Sequence, residues 1–303
     1  MESIKKAARW CISGVLRACP PGTPEFVYRH LLVLPPVRTL TNTLLKNLLP
    51  ERILLSEGTV LLNPEDPVIS GALTLGVYEP YETELFRAHL KPGMHVLDLG
   101  ANIGFHTIIA AGRVGAEGTV IALEPEPVNY SFLERNVQIN KFNNVTLCQM
   151  AAADKEGVLT LHVSDANKGK HSLVTDHAHS GEFSTTVSVT SRRIDTLLAE
   201  QGITHIDLVK MDIEGAEPFA LAGMPQLLST SNLILFMEFS PRAIVRAGYE
   251  PARLLHDLVE KGFLIQEIQE EARAVIPIKD IGKFSSRFNG DAYANLLCVK
   301  SAS

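Results

Sequence analysis

Cysteine is scarce in this chain of 303 residues. There are four, Cys11, Cys19, Cys148 and Cys298, and no two are spaced C-x-x-C. That pattern argues against a disulfide framework or a thiolate zinc site, and it fits a reducing compartment. Positive charge is also short: 28 Lys and Arg stand against 34 Asp and Glu, a formal charge of −6. A chain that holds a nucleic-acid backbone would carry a basic excess or stripe, so no nucleic-acid partner is expected. No apolar run approaches the roughly 18 residues of a membrane span, so no transmembrane segment is expected. Lys5, Lys6 and Arg9 precede a short apolar stretch, residues 10–16, in the manner of a signal peptide, but Arg17 interrupts it. The better reading is an amphipathic helix that touches a membrane surface or the body of the protein, and a cytoplasmic location is expected. Internal repeats and low-complexity tracts are missing too. What remains is ordinary globular composition, 46% hydrophobic and 20% charged.

Residues 1–70 differ from the rest. Apolar clusters such as residues 31–34 and 44–49 are broken by Pro35, Pro36 and Pro50. That pattern predicts a mostly helical N-terminal extension, followed by one large domain over residues 71–303. From about residue 93 short apolar runs alternate with helical spacing. Strands are expected at residues 95–99, 119–123, 145–148, 206–211, 233–237, 263–265 and 296–299. Helices are expected after Gly104, from Pro127, over 216–221 and over 251–260. Residues 158–163 and 185–190 read as two extended segments, a β-hairpin insertion joined by a polar, histidine-bearing loop. The alternation predicts an α/β fold with a mainly parallel sheet and helices on both faces.

In such a sheet ligands bind beyond the carboxyl ends of the strands. The first of these strands ends in Asp98-Leu99-Gly100-Ala101-Asn102-Ile103-Gly104. Counted from Gly100, a dinucleotide fingerprint needs glycine at 102 and 105, where Asn102 and Phe105 stand. A pyrophosphate fits poorly; a nucleoside without phosphates does not. Glu124 ends the next strand, where a carboxylate accepts hydrogen bonds from the vicinal hydroxyls of a ribose. A ligand with ribose, adenine, an amino-acid end and no phosphate matches S-adenosylmethionine. Its sulfonium suits a pocket rich in carboxylates.

Taken together, these blocks resemble the FkbM family of methyltransferases. The resemblance covers about residues 76–240. It runs through Gly76-Val77-Tyr78-Glu79-Pro80-Tyr81-Glu82-Thr83, through the glycine turn with Phe105-His106-Thr107, and through Ala122-Leu123-Glu124-Pro125. Its most specific part is Arg193-Ile194-Asp195-Thr196-Leu197 with Val209-Lys210-Met211-Asp212-Ile213-Glu214-Gly215-Ala216-Glu217. It implies a class I methyltransferase fold, a Rossmann-like sheet of seven strands whose last strand, here 296–299, is reversed. It implies S-adenosylmethionine as donor and a hydroxyl acceptor on a sugar, glycan or natural product. Carried over position by position, it gives Asp98, Gly100, Asn102 and Gly104 to the methionine and ribose end. Glu124 goes to the ribose hydroxyls and Asp154 to the adenine. Glu82 and Thr83 either cap the methionine end or cap a helix.

A sugar hydroxyl attacks carbon only once a base takes its proton. Asp212 ends a strand beside the expected methyl position. Glu238 ends an apolar run at the same sheet edge, as a catalyst or a buried structural group. His171, beside Asn167 and Ser172 in the insertion, is a third candidate base. Glu214 and Glu217 would share a face if helical. His171, His177 and His179 lie near Asp176, but solvated loop histidines are commoner than ligands and no metal is assigned. His106 is read as a packing or cofactor contact. The competing readings are a nicotinamide-dependent oxidoreductase, a cofactor-binding protein without turnover, and methylation of nitrogen, protein or RNA.

Overall fold

The computed structural model describes residues 49–164 and 183–300. The described part opens with a hairpin of β1 (Arg52–Leu54) and β2 (Thr59–Leu61). Helices α1 (Ile69–Leu75) and α2 (Pro80–His89) follow. Then β3 (His95–Leu99), α3 (Phe105–Val114), β4 (Thr119–Leu123), α4 (Pro127–Asn140) and β5 (Val145–Cys148) alternate. Next come β6 (Ala151–Ala152), β7 (Gly157–Ser164) and β8 (Phe183–Arg192), which form a small sheet of their own. The chain returns to the main sheet through α5 (Ile194–Glu200), β9 (Leu208–Met211), α6 (Glu217–Ala222), α7 (Pro225–Ser229) and β10 (Ile234–Phe239). It ends with α8 (Pro241–Arg246), α9 (Pro251–Glu260), β11 (Phe263–Gln269), β12 (Ala274–Pro277), α10 (Ile281–Ser286) and β13 (Ala294–Lys300).

The main sheet runs β12-β11-β13-β10-β9-β3-β4-β5. Strands β5, β4, β3, β9 and β10 are parallel. β13 is antiparallel to both its neighbours, β10 and β11. The expected seven strands with a reversed last one are all present. An eighth, β12, is added antiparallel at the edge. The expected hairpin insertion is the β7–β8 pair.

The strands read as continuous apolar runs because both faces are covered, and alternate residues feed two cores. Leu97, Leu99, Ile121, Leu123, Val209 and Met211 pack on one side; Val96, Val120, Ala122, Leu208 and Phe236 pack on the other. Each of these side chains other than Ala122 is worth about 1.5–3 kcal/mol of burial. Pro127 opens α4 as expected, and the Glu126 side chain caps it by accepting from the Asn129 N–H at 2.7 Å.

Residues 1–48 of the expected helical extension lie outside the described residues. The part that is described differs from the expectation: residues 52–61 are a hairpin, and the first described helix begins only at Ile69. The turn closes through the Leu55 N–H and the Gly58 carbonyl at 2.7 Å. Two asparagines of α4 then stitch the hairpin down. Asn136, fully buried, accepts from the Leu61 N–H at 2.6 Å and donates to the carbonyls of Leu61 and Ile103. Asn140 bonds both backbone groups of Thr59 at 2.7 Å. No helix among the described residues is long and apolar enough to cross a membrane.

Candidate active site

The register of the parallel strands makes the site. Leu99 pairs with Leu123 on one side and Met211 on the other, and Met211 pairs with Met237. The next residue on each strand therefore falls in one row: Gly100, Glu124, Asp212 and Glu238. A cleft of about 560 Å³, counting its open mouth, lies over part of this row. Gly100, Asn102, Glu124, Met150, Asp212 and Glu214 are on its wall.

Gly100 has φ +81°, and a Cβ there would overlap the carbonyl oxygen of Asp212. Only glycine lets the β3 turn lie this close to the end of β9. Asn102 takes the left-handed conformation at φ 52°. Its N–H donates to Glu124 Oε2 at 2.8 Å, and the Glu126 N–H donates to Oε1 at 2.8 Å. Glu124 thus ties the glycine turn to β4, and each carboxylate oxygen keeps a lone pair for a ribose hydroxyl. Burial pushes its pKa up to about 8, against the pull of those two backbone donors.

Asp98 lies beneath the turn, 2% exposed, with Oδ2 accepting from the Thr107 hydroxyl at 2.5 Å; burial pushes its pKa up to about 6. Its described bond holds α3 to β3. Gly104 packs on Leu133 of α4. Met150, Ala151 and Ala152 line the side of the cleft reached by β5. Asp154 follows them half-buried, its carbonyl accepting from Arg193 at 2.8 Å. Thr83 is buried on α2. His106 is buried edge-on against Phe86 and Phe105, each 5.1 Å away; burial keeps it neutral, in a packing role. His171, His177, His179 and Asp176 lie outside the described residues.

The side chain that sequence reasoning missed is Lys210. It sits on β9, 1% exposed, 3.2 Å from Glu82 Oε1 and 3.7 Å from Asp212 Oδ2. Burial alone would lower its pKa; Glu82, Asp212 and Glu79 outweigh that and push it up, so the ammonium stays charged. It links Glu82 on α2 to Asp212 at the strand edge. The signal was a lysine inside an otherwise apolar strand, two residues before an aspartate.

Glu214 and Glu217 do not share a helical face. Glu214 is left-handed at φ 53°, ahead of α6, and Glu217 is fully buried as the first residue of that helix. Glu217 Oε1 accepts from the N–H groups of Ile213 and Gly215 at 3.3 Å each, an N-terminal turn held by its own acid. Glu238 is 8% exposed, and burial next to Glu214 and Asp212 pushes its carboxyl well above the usual range.

S-adenosylmethionine fits these walls. Leu99, Leu123, Met150 and Ile213 offer apolar surface for an adenine, Glu124 faces the ribose role, and Asp212 and Glu214 suit a cation. Among the described residues no lysine or arginine lines the cleft. What disfavours a pyrophosphate, and with it a nicotinamide cofactor, is the turn itself, where Asn102 and Phe105 stand in place of glycines.

A parallel sheet whose last strand is reversed and inserted before the edge, with its ligand row at the carboxyl ends, is the class I methyltransferase fold. The donor such proteins use is S-adenosylmethionine. The methyltransferase FkbM domain profile matches residues 98–269, over half of the chain, and the protein belongs to that family. It is an S-adenosylmethionine-dependent methyltransferase. The 2-O-methyltransferase NoeI of Sinorhizobium fredii is 26% identical over 188 residues, 58% of this chain and 75% of that one. The 31-O-demethyl-FK506 methyltransferase FkbM of Streptomyces tacrolimicus is 31% identical over 161 residues, 45% of this chain and 61% of that one. A crystal structure of methyltransferase FkbM from Methylobacillus flagellatus is similar with 15% identity and a TM-score of 0.41, over 87% of this chain and 59% of that one. At those values the structural likeness carries no weight for function.

Proposed function

We propose that the protein methylates a hydroxyl of a sugar, glycan or related natural product, with residues 71–303 as the catalytic domain. The observation that carries this is the acidic strand edge. Asp212 lines the donor cleft, and Lys210 holds its carboxylate in place. Bound S-adenosylmethionine supplies an electrophilic methyl group and a sulfur leaving group. Glu124 orients the ribose end, and the glycine turn brings the backbone close enough to exclude water. Asp212 takes the acceptor's hydroxyl proton as the oxygen attacks in line. The names of the two relatives, a 2-O- and a 31-O-methylating enzyme, support an oxygen acceptor. A charge of −6 and, among the described residues, a cleft wall without basic side chains favour a small molecule or glycan over nucleic acid. Cys148 and Cys298 are free thiols, which favours the cytoplasm.

The test is incubation with methyl-labelled donor, a panel of hydroxylated glycans and a host small-molecule extract. Label in an ether-linked methyl group of one compound is the expected result. Label on nitrogen, on protein or on RNA overturns the acceptor class. Donor binding with no labelled product from any pool overturns turnover itself.

A further inference from the structure

Asp212, Glu214 and Glu238 each bring a carboxylate oxygen to within 4.8 Å of the others. Acidic groups crowd on many surfaces, so that alone decides nothing. Glu238 is a separate observation. It is the last residue but one of the apolar strand β10, with only 8% of its surface exposed, and it points into the trio. Among the described residues it makes no hydrogen bond and no ion pair, and the charges that bear on it most are other carboxylates, Glu214 and Asp212 first. Lys210 does not serve it: that ammonium pairs with Glu82 and Asp212. A carboxyl so placed, aimed at two more and with no donor of its own, holds either a proton or a cation, and a cation shared with Asp212 and Glu214 relieves all three charges at once.

We propose that Asp212, Glu214 and Glu238 hold one divalent cation of the hard, oxygen-preferring class, Mg²⁺ or Mn²⁺. Ligand oxygens on one Mg²⁺ stand about 2.0–2.1 Å from it and so at most about 4.2 Å from each other; these three lie within 4.8 Å, and side-chain rotation closes the remainder. An all-carboxylate set disfavours zinc and copper, which take nitrogen and sulfur readily. Asp212 and Glu214 line the donor cleft and Glu238 does not, which puts the ion at the cleft's edge, between β9 and β10. Three carboxylates leave coordination positions open, and neighbouring hydroxyls of a polyhydroxylated acceptor fit them. A carboxylate bound through one oxygen keeps its second, so Asp212 retains its proton-accepting role. The acceptor's part in this rests on the hydroxyl reading above; cation binding does not.

The experiment is a titration of the EDTA-dialysed full chain with Mn²⁺, without donor or acceptor, read by loss of the free-ion electron paramagnetic resonance signal. The expected result is one bound Mn²⁺ per chain, displaced by Mg²⁺. Glu238→Gln weakens it at least about tenfold with an unchanged melting curve and donor affinity. Glu214→Gln, on a half-exposed residue, gives the same loss and serves should the first variant misfold. No bound Mn²⁺ at millimolar concentration, or equal binding by both variants, overturns the site. Methyl transfer at full rate in EDTA overturns the ion's role while leaving the transferase reading intact. A chain that binds Mn²⁺ as expected yet methylates no hydroxyl supports the site and overturns the acceptor class instead.

Discussion

Replacing Gly100 with alanine separates two costs that the structure keeps distinct. The first is conformational: at φ +81° an L side chain costs about 1–2 kcal/mol. The second is crowding. The new Cβ would overlap the Asp212 carbonyl oxygen, with its carbonyl carbon at 2.9 Å and Ile213 Cγ2 at 3.0 Å. Neither is the loose end of a flexible side chain, so the end of β9 must retreat, and overpacking of this kind costs about 1–3 kcal/mol. The sum is roughly 2–5 kcal/mol, a fall in melting midpoint of roughly 3 to 8 °C for a chain of this size. Gly76→Ala is the matched control. Gly76 has φ +72° and nothing within 4 Å of its Cβ position, so it bears the first cost alone, roughly 2 to 3 °C. Calorimetry measures both. Titration with S-adenosylmethionine adds a second readout, because the carbonyl that moves belongs to a cleft residue: donor affinity falls more than about tenfold in Gly100→Ala and stays in Gly76→Ala. Equal midpoint shifts, or undisturbed donor binding in Gly100→Ala, would refute the close-approach argument.

Glu124→Ala weakens donor binding at least about tenfold, or about 1.4 kcal/mol, and unchanged affinity by calorimetric titration rejects the ribose contact. Glu124 also sets a pH dependence. Its pKa rises from 4.5 to about 8 in the folded protein, so its contribution to stability is complete below about pH 4.5 and is lost as pH rises towards 8. Ribose hydroxyls donate to the ionised form, so donor affinity rises over the same window; in Glu124→Gln both profiles flatten, and a slope that persists assigns them elsewhere. Lys210→Met leaves Glu82 and Asp212 without their cation in a buried setting, a loss of about 3–5 kcal/mol in denaturant unfolding. A loss below about 1 kcal/mol would show the pair to be solvated. Asn136→Ala removes three buried hydrogen bonds and frees the β1–β2 hairpin, seen as proteolysis near residues 52–61 in the folded protein. Protection equal to the parent chain would show that Asn136 is not what holds the hairpin.

The fold was legible where local pattern and tertiary environment agree. Residues 95–99 read as a buried parallel strand because both faces are covered, and the glycine turn was visible because its backbone demands are chemical. Glu124 and Asp212 followed from strand ends. Lys210 was not legible, since its meaning depends on Glu82 arriving from α2, 128 positions away in the chain. Glu214 and Glu217 share a face only on the condition of a helix, and that condition fails where the chain turns left-handed at Glu214. β12 was missed because a four-residue, half-exposed edge strand has little apolar pattern to show. The β1–β2 hairpin was missed because its strands have three residues each, and the asparagines that hold it are 75 or more positions later.

The reversed strand has a consequence for synthesis. β13 is made after β11 and β12, yet it is inserted between β10 and β11. Until residues 294–300 leave the ribosome, the outer pair has no partner through which to join the parallel strands, and β10 shows an open apolar flank. The growing polypeptide therefore holds an unfinished, sticky seam until that segment emerges. Chaperones that shield exposed strand edges have their longest window of engagement there, and a message truncated just upstream of that segment yields a product bound for degradation rather than a shortened enzyme.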